Sequence, residues 1–210
     1  MKNSYLFDFD GTLVDSMPTF ASQMLRILDE YSIKYESDIV KIITPLGFEG
    51  TAKYFCELGI DESVSDLVTK MIAYLREEYL WRIPAKEGVP ETLRELKARG
   101  ASLNVLTASP HDTLDPCLKR IGIWELFDNV WSCDDFCTTK SDPDIYKAAA
   151  KRIGERVQNV IFVDDNVGAV KTAKLAGMAA YGVYDPSSDD YVEEMKTVCD
   201  RYINSLSELL

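Results

Sequence analysis

The sequence predicts an α/β protein: a parallel sheet core with a small all-helical insert placed after its first strand. Three observations carry this. Short apolar runs at Tyr5–Phe7, Ser102–Leu106, Asn129–Ser132, Val160–Val163 and Ala179–Val183 read as strands. From Ser102 onward these runs alternate with helix-period segments, which argues for parallel pairing with helices on both faces. Between Ser16 and Pro84 the apolar spacing is helical and no convincing strand occurs. The expected division is a core of residues 1–15 and 85–210 and an insert of residues 16–84.

In chain order, Tyr5–Phe7 runs straight into Asp8, with Asp10 two residues on and Gly11 free to make a sharp turn. Phe20, Met24, Leu25, Ile27, Leu28 and Tyr31 recur at helical spacing within 18–35. Further insert helices are expected at about 37–43, 51–58 and 63–81, the last opened by Asp61-Glu62-Ser63. Thr44 to Gly50, with Pro45, Gly47 and Gly50, reads as a loop. Pro84 to Gly88 ends the insert, and Pro90 sits in the first turn of a helix stopped by Gly100. The strand at Ser102 ends in Thr107-Ala108-Ser109-Pro110, and a helix follows over about 112–121. Asp142-Pro143 opens a helix that runs to Ile153. Val160–Val163 meets Asp164-Asp165-Asn166, and the next helix, about 169–176, is capped by Gly177. Ala179–Val183 is the last expected strand, and Tyr191–Leu206 the terminal helix.

Composition narrows the function. The 210 residues carry a formal net charge of -12, and the pI is near 4.6. Such a chain repels nucleic acid and anionic membranes, so neither is expected as a partner. Any phosphate site needs its own cations, because the global field opposes anions. No apolar run approaches the roughly 20 residues that span a bilayer. Asp8 and Asp10 interrupt the pattern of a signal peptide. Cys56, Cys117, Cys133, Cys137 and Cys199 are scattered and His111 is the single histidine, so no zinc site is expected. Reduced thiols in a cytoplasmic protein fit this usage, and a monomer or weak dimer is expected.

Ligands of open parallel sheets bind beyond the carboxyl ends of the strands. Asp8, Thr107 and Asp164-Asp165 all follow expected strands and so converge on one edge. Carboxylates as close in sequence as Asp8 and Asp10 repel, so a cation or proton must intervene, and Mg²⁺ prefers such oxygen ligands. One carboxylate of such a pair can act as nucleophile and the other as acid and base. Taken singly, each residue has a plainer reading: an acidic turn, a strand-end threonine, a solvated lysine, a helix cap.

Together they carry more. Asp8-Phe9-Asp10-Gly11-Thr12-Leu13, then Thr107 after an apolar strand, then Lys140, then Val163-Asp164-Asp165-Asn166 with Gly177-Met178 beyond, resemble in order the motifs of the haloacid dehalogenase (HAD) superfamily. The resemblance covers essentially the whole chain. The insert resembles the C1 cap of the phosphoglycolate phosphatase and β-phosphoglucomutase branch. The resemblance implies a Rossmann-like HAD core and a Mg²⁺-dependent phosphomonoester hydrolase. Its substrate would be a small phosphorylated metabolite, cleaved through an aspartyl-phosphate. It makes Asp8 the nucleophile and Asp10 the acid and base. It assigns the metal to Asp8, Asp165 and the backbone carbonyl of Asp10. Thr107, the amide of Ala108 and Lys140 would bind the phosphoryl group. Asp164, orienting Lys140 or a metal-bound water, and Asn166 would support them. Two positions depart from the family pattern: Ser141 stands where proline is frequent, and Ala108 where asparagine is frequent.

Asp10 argues against a dehalogenase or phosphonatase, and Thr12 and Phe20 against a mutase. The alternatives are a catalytically silent HAD module with a binding or regulatory role or, among enzymes, a phosphoglycolate phosphatase or sugar-phosphate phosphomutase. Phe48 and Glu49, on the expected loop, would read the leaving group, with Lys53 able to neutralise Glu49. The crossings at Asp15–Pro18 and Trp81–Gly88 would hinge the insert as a lid. His111 is expected as a partly exposed residue at a helix start.

Overall fold

Four consecutive buried residues, Ser4–Phe7, form the first strand, β1. A strand buried on both faces belongs in the middle of a parallel sheet, and β1 lies there. The computed structural model describes residues 3–43 and 46–210. Its sheet has six parallel strands: β1, β2 (Ser102–Thr107), β3 (Asn129–Ser132), β4 (Val160–Asp164), β5 (Ala179–Val183) and β6 (Arg201–Ile203). Their spatial order is β3-β2-β1-β4-β5-β6. The chain first builds outward on one side of β1 and then returns to build on the other. The reversal therefore falls between β1 and β4, where ligands of such sheets bind. Phe7 pairs with Val105 on one side and Val163 on the other. The Asp8 amide extends the ladder to the Val163 carbonyl at 2.9 Å. This register brings Asp8 and Asp164 out at the same level.

By its contacts the chain falls into two compact units, Met1–Asp15 with Ile83–Leu210, and Ser16–Arg82. In the sheet unit, α5 (Val89–Ala98) and α6 (His111–Arg120) bury Leu93, Leu96, Leu114 and Leu118. The helices α7 (Pro143–Ile153), α8 (Val167–Leu175) and α9 (Val192–Val198) share a core with Leu6, Leu106 and Phe162. The second unit is helical among the described residues: α1 (Met17–Glu30), α2 (Ile39–Ile43), α3 (Gly47–Glu57) and α4 (Val64–Trp81). Met24, Ile27, Phe55, Leu67 and Met71 form its own core. Ser63 caps α4 by accepting from the Asp66 amide at 3.1 Å. No helix of the described residues is long and apolar enough to cross a membrane.

Two expectations fail. The terminal segment is a helix only over Val192–Val198, and Arg201–Ile203 forms the sixth strand. Val192, Met195, Cys199, Tyr202 and Leu206 recur every three or four residues, which mimics one long helix. Pairing with β5 decides otherwise. The Asp200 amide donates to the Ala180 carbonyl at 2.8 Å, and its carboxylate accepts from the Ala180 amide at 2.9 Å. The other failure is the loop over Thr44 to Gly50. Thr44 and Pro45 lie outside the described residues, but α3 already begins at Gly47. Burial of Ala52 and Phe55 one and two turns on outweighs the helix cost of its glycines.

Candidate active site

The site is assembled by strand ends. Asp8 leaves β1, Thr107 ends β2, and Asp164 and Asp165 end and follow β4. Asp8, Asp164 and Asp165 each bring a carboxylate oxygen within 4.8 Å of the others, and all three are buried. Lys140 reaches in from the turn before α7. Its ammonium donates to Asp8 and, at 2.8 Å, to Asp164. Three carboxylates against one ammonium leave two uncompensated negative charges, the charge of one divalent cation. Clustered hard oxygens fit Mg²⁺ by donor type as well.

Without a cation, the same crowding disfavours the charged forms of these carboxyls. Burial raises the Asp8 carboxyl well above the usual range; Lys140 opposes this, while Asp164, Asp165 and Asp10 add to it. Burial, with Asp164 and Asp185 nearby, pushes Asp165 up to about 7. Burial would pull the Lys140 ammonium down, but Asp164 and Asp8 outweigh it and hold it above its ordinary value.

The turn after β1 fits closely around Asp165. Gly11 has φ +73°, and a Cβ there would lie 2.6 Å from Asp165 Oδ2. Thr12 Oγ1 donates to Asp165 Oδ1 at 3.1 Å. Asp164 Oδ1 accepts from the Asn166 amide at 2.7 Å, and the Asn166 side chain caps α8 through the Ala169 amide. Ala108 is exposed beside buried Thr107.

The sequence model of the family described as haloacid dehalogenase-like hydrolase matches residues 5–183. The chain is 34% identical over 182 residues to pyrophosphatase PpaX of Bacillus velezensis, covering 85% of this chain and 81% of the relative. This chain belongs to the haloacid dehalogenase-like hydrolase family. Among solved folds, a HAD family hydrolase from Deinococcus radiodurans R1, with bound phosphate and sodium, superposes with a TM-score of 0.81 at 24% identity, covering 99% of this chain and 93% of that one. YfnB of Bacillus subtilis, bound to magnesium, gives a TM-score of 0.79 at 19% identity, covering 99% and 96%. The chain is a HAD-type phosphatase.

Two HAD-site residues escaped the sequence reading. Ser109 Oγ donates to Asp10 Oδ2 at 2.5 Å, and the Ser109 amide donates to Thr107 Oγ1 at 3.0 Å. Tyr146 is buried against Phe162, and its single O–H is shared between the carbonyls of Lys140, at 3.0 Å, and Ala169, at 3.1 Å. It fixes the backbone that carries Lys140 where the family often has proline next door. A serine in a turn and a helical tyrosine carry no signal of their own. Phe48 packs against Phe20 within the insert, with ring centroids 6.1 Å apart and the rings tilted by 49°. Glu49 lies on a helix, paired with Lys53 at 2.7 Å. The segment expected as a loop at Phe48 and Glu49 is thus the start of α3, and Lys53 does reach Glu49. His111 bonds Asp115 at 2.7 Å and Asp135 at 2.8 Å.

Two outcomes follow from this geometry. Gly11→Ala puts a methyl against Asp165 in a left-handed turn. It should cost about 1–3 kcal/mol of stability, and displacing Asp165 should lower kcat/KM by about 100-fold. Denaturant titration and kinetics on the same preparation check both. The hydrogen bond to Asp115, then that to Asp135, raises the His111 pKa against the effect of its partial burial. A raised folded value gives stability that is full below the unfolded pKa of about 6.5 and lost as pH rises through the folded value. His111→Gln should therefore lower the melting temperature more near pH 5 than near pH 9, as thermal unfolding at the two pH values would show.

Proposed function

We propose that this phosphatase is a Mg²⁺-dependent phosphomonoester hydrolase that works through an aspartyl-phosphate on Asp8. The observation that carries the reading is the buried Asp8 carboxylate at the sheet's reversal, grouped with Asp164, Asp165 and Lys140. A bound Mg²⁺, held by Asp8, Asp165 and the backbone carbonyl of Asp10, would screen the repulsion between carboxylate and phosphoryl oxygens. Asp8 attacks phosphorus, and the bond to the leaving oxygen breaks. Asp10, steadied by Ser109, gives that oxygen its proton. Asp10 then takes a proton from water as the water attacks phosphorus. Phosphate departs and the Asp8 carboxylate is restored. Lys140 holds fixed positive charge against the phosphoryl oxygens, in a chain whose net charge is otherwise unfavourable to anions. Thr107 and the Ala108 amide donate to the same oxygens. Asp164 orients Lys140 through their 2.8 Å bond. The helical insert is the cap.

Phosphate and magnesium in the two solved relatives support this reading. The substrate is proposed to be a small phosphorylated metabolite. A second reading, inorganic pyrophosphate, is favoured by the name of the Bacillus velezensis relative. The chemistry on Asp8 would be the same, with phosphate as leaving group.

A screen of phosphate monoesters and pyrophosphate, with Mg²⁺ and after exhaustive EDTA treatment, tests the proposal. Activity should vanish without metal and return with Mg²⁺. Asp8→Asn, nearly isosteric, should cut turnover by about 1,000-fold or more with the fold intact, whereas retention of over about a tenth of turnover would exclude nucleophilic catalysis by Asp8.

A further inference from the structure

A second ion pair, Lys86 with the buried carboxylate of Asp185, joins the segments that contact Asp165. Lys86 Nζ donates to Asp185 Oδ2 at 2.9 Å, to the Tyr184 carbonyl at 2.9 Å and to the Gly11 carbonyl at 2.7 Å. The Asp185 side chain is 1% exposed and that of Lys86 21%. An ammonium has three N–H donors, and these three acceptors use them all. Lys86 therefore has no donor to spare for a phosphate, although a cleft of about 440 Å³ opens beside it. Its backbone is also tied down: the Lys86 amide donates to the Leu13 carbonyl at 3.0 Å, and Val14 bridges Ala85.

What Lys86 joins is informative. One partner, Gly11, precedes Thr12, whose hydroxyl holds Asp165 Oδ1 at 3.1 Å. The other, Asp185, caps the turn after β5, accepting from the Ser187 amide at 2.9 Å and its hydroxyl at 2.5 Å. In that turn Ser188 Oγ donates to Asp165 Oδ2 at 3.4 Å. Each oxygen of Asp165 is thus held by one of the two segments that Lys86 clamps together. A pair serving stability alone could sit anywhere between these segments; this one closes a ring around a single carboxylate.

We infer that Lys86 and Asp185 are positioning residues: a buried strut that fixes Asp165 in the orientation needed to bind a divalent cation. This rests on the reading of Asp165 as a metal ligand. Residues that orient metal ligands typically change affinity by about 10–100-fold when lost. Acting one residue further out, the strut should fall at the low end of that range. Its loss should raise the Mg²⁺ concentration needed for half-maximal turnover more than it lowers turnover at saturating Mg²⁺.

The test measures Mn²⁺ binding to the full chain by electron paramagnetic resonance, with no substrate present. Asp185→Asn is nearly isosteric, Lys86→Met removes the other end, Asp165→Asn is the reference, and circular dichroism first checks that each variant is folded. Asp185→Asn and Lys86→Met should each raise the Mn²⁺ Kd by about tenfold. The double variant should be no weaker than the worse single, because both remove one interaction. If Lys86→Met unfolds, Asp185→Asn decides alone. A lowered melting temperature with Mn²⁺ Kd within about twofold of wild type in Asp185→Asn, while Asp165→Asn loses the ion, would overturn the strut and leave the metal reading standing. Undiminished Mn²⁺ binding in Asp165→Asn would overturn the metal reading and the strut with it.

Discussion

Repulsion among Asp8, Asp164 and Asp165 is the constraint on which the rest of the site depends. Three buried carboxylates with oxygens inside 4.8 Å are unfavourable as they stand, and a single ammonium cannot balance them. Their grouping is imposed by the sheet. The β1–β4 register fixes where Asp8 and Asp164 emerge, and the apolar residues buried on both faces of β1 fix that register. The fold thus holds together charges that would separate in a looser structure. This repulsion is relieved by a bound cation or by a proton, and the clustered hard oxygens suit a divalent cation.

The same constraint explains how the surrounding residues are used. Gly11 has no side chain because Asp165 occupies the space a Cβ would need. Lys140 supplies local positive charge within a strongly acidic chain, and its backbone is anchored by buried Tyr146. Ser109 orients Asp10 by donating to its Oδ2 at 2.5 Å.

Most of the sheet and the acidic residues of the site were legible because they sit where two signals coincide. An apolar run that ends abruptly in aspartate marks both a buried strand and a strand-end site, and this happens at Phe7-Asp8 and Val163-Asp164. The family resemblance, covering the chain, supplied the order of the motifs. Where one signal stood alone, the reading failed. The helical spacing from Val192 to Leu206 concealed β6, because a three-residue edge strand has too little pattern to compete and is decided by hydrogen bonds to Ala180 and Tyr184. The glycines of 47–50 suggested a loop, but burial further along the helix prevailed. Ser109, Tyr146, Lys86 and Asp185 act through contacts spanning up to 99 residues of sequence, and no local pattern announces such contacts.

The central claim is that Asp8 becomes covalently phosphorylated during turnover. Rapid acid quenching of the enzyme with a good phosphomonoester substrate, followed by borohydride reduction and peptide mass spectrometry, addresses it directly. An acyl phosphate on Asp8 would be reduced to the homoserine side chain at that one position, and the account predicts this product during turnover and its absence without substrate. Steady turnover with Asp8 unreduced, or with the reduced residue at Asp10, Asp164 or Asp165 instead, would contradict it.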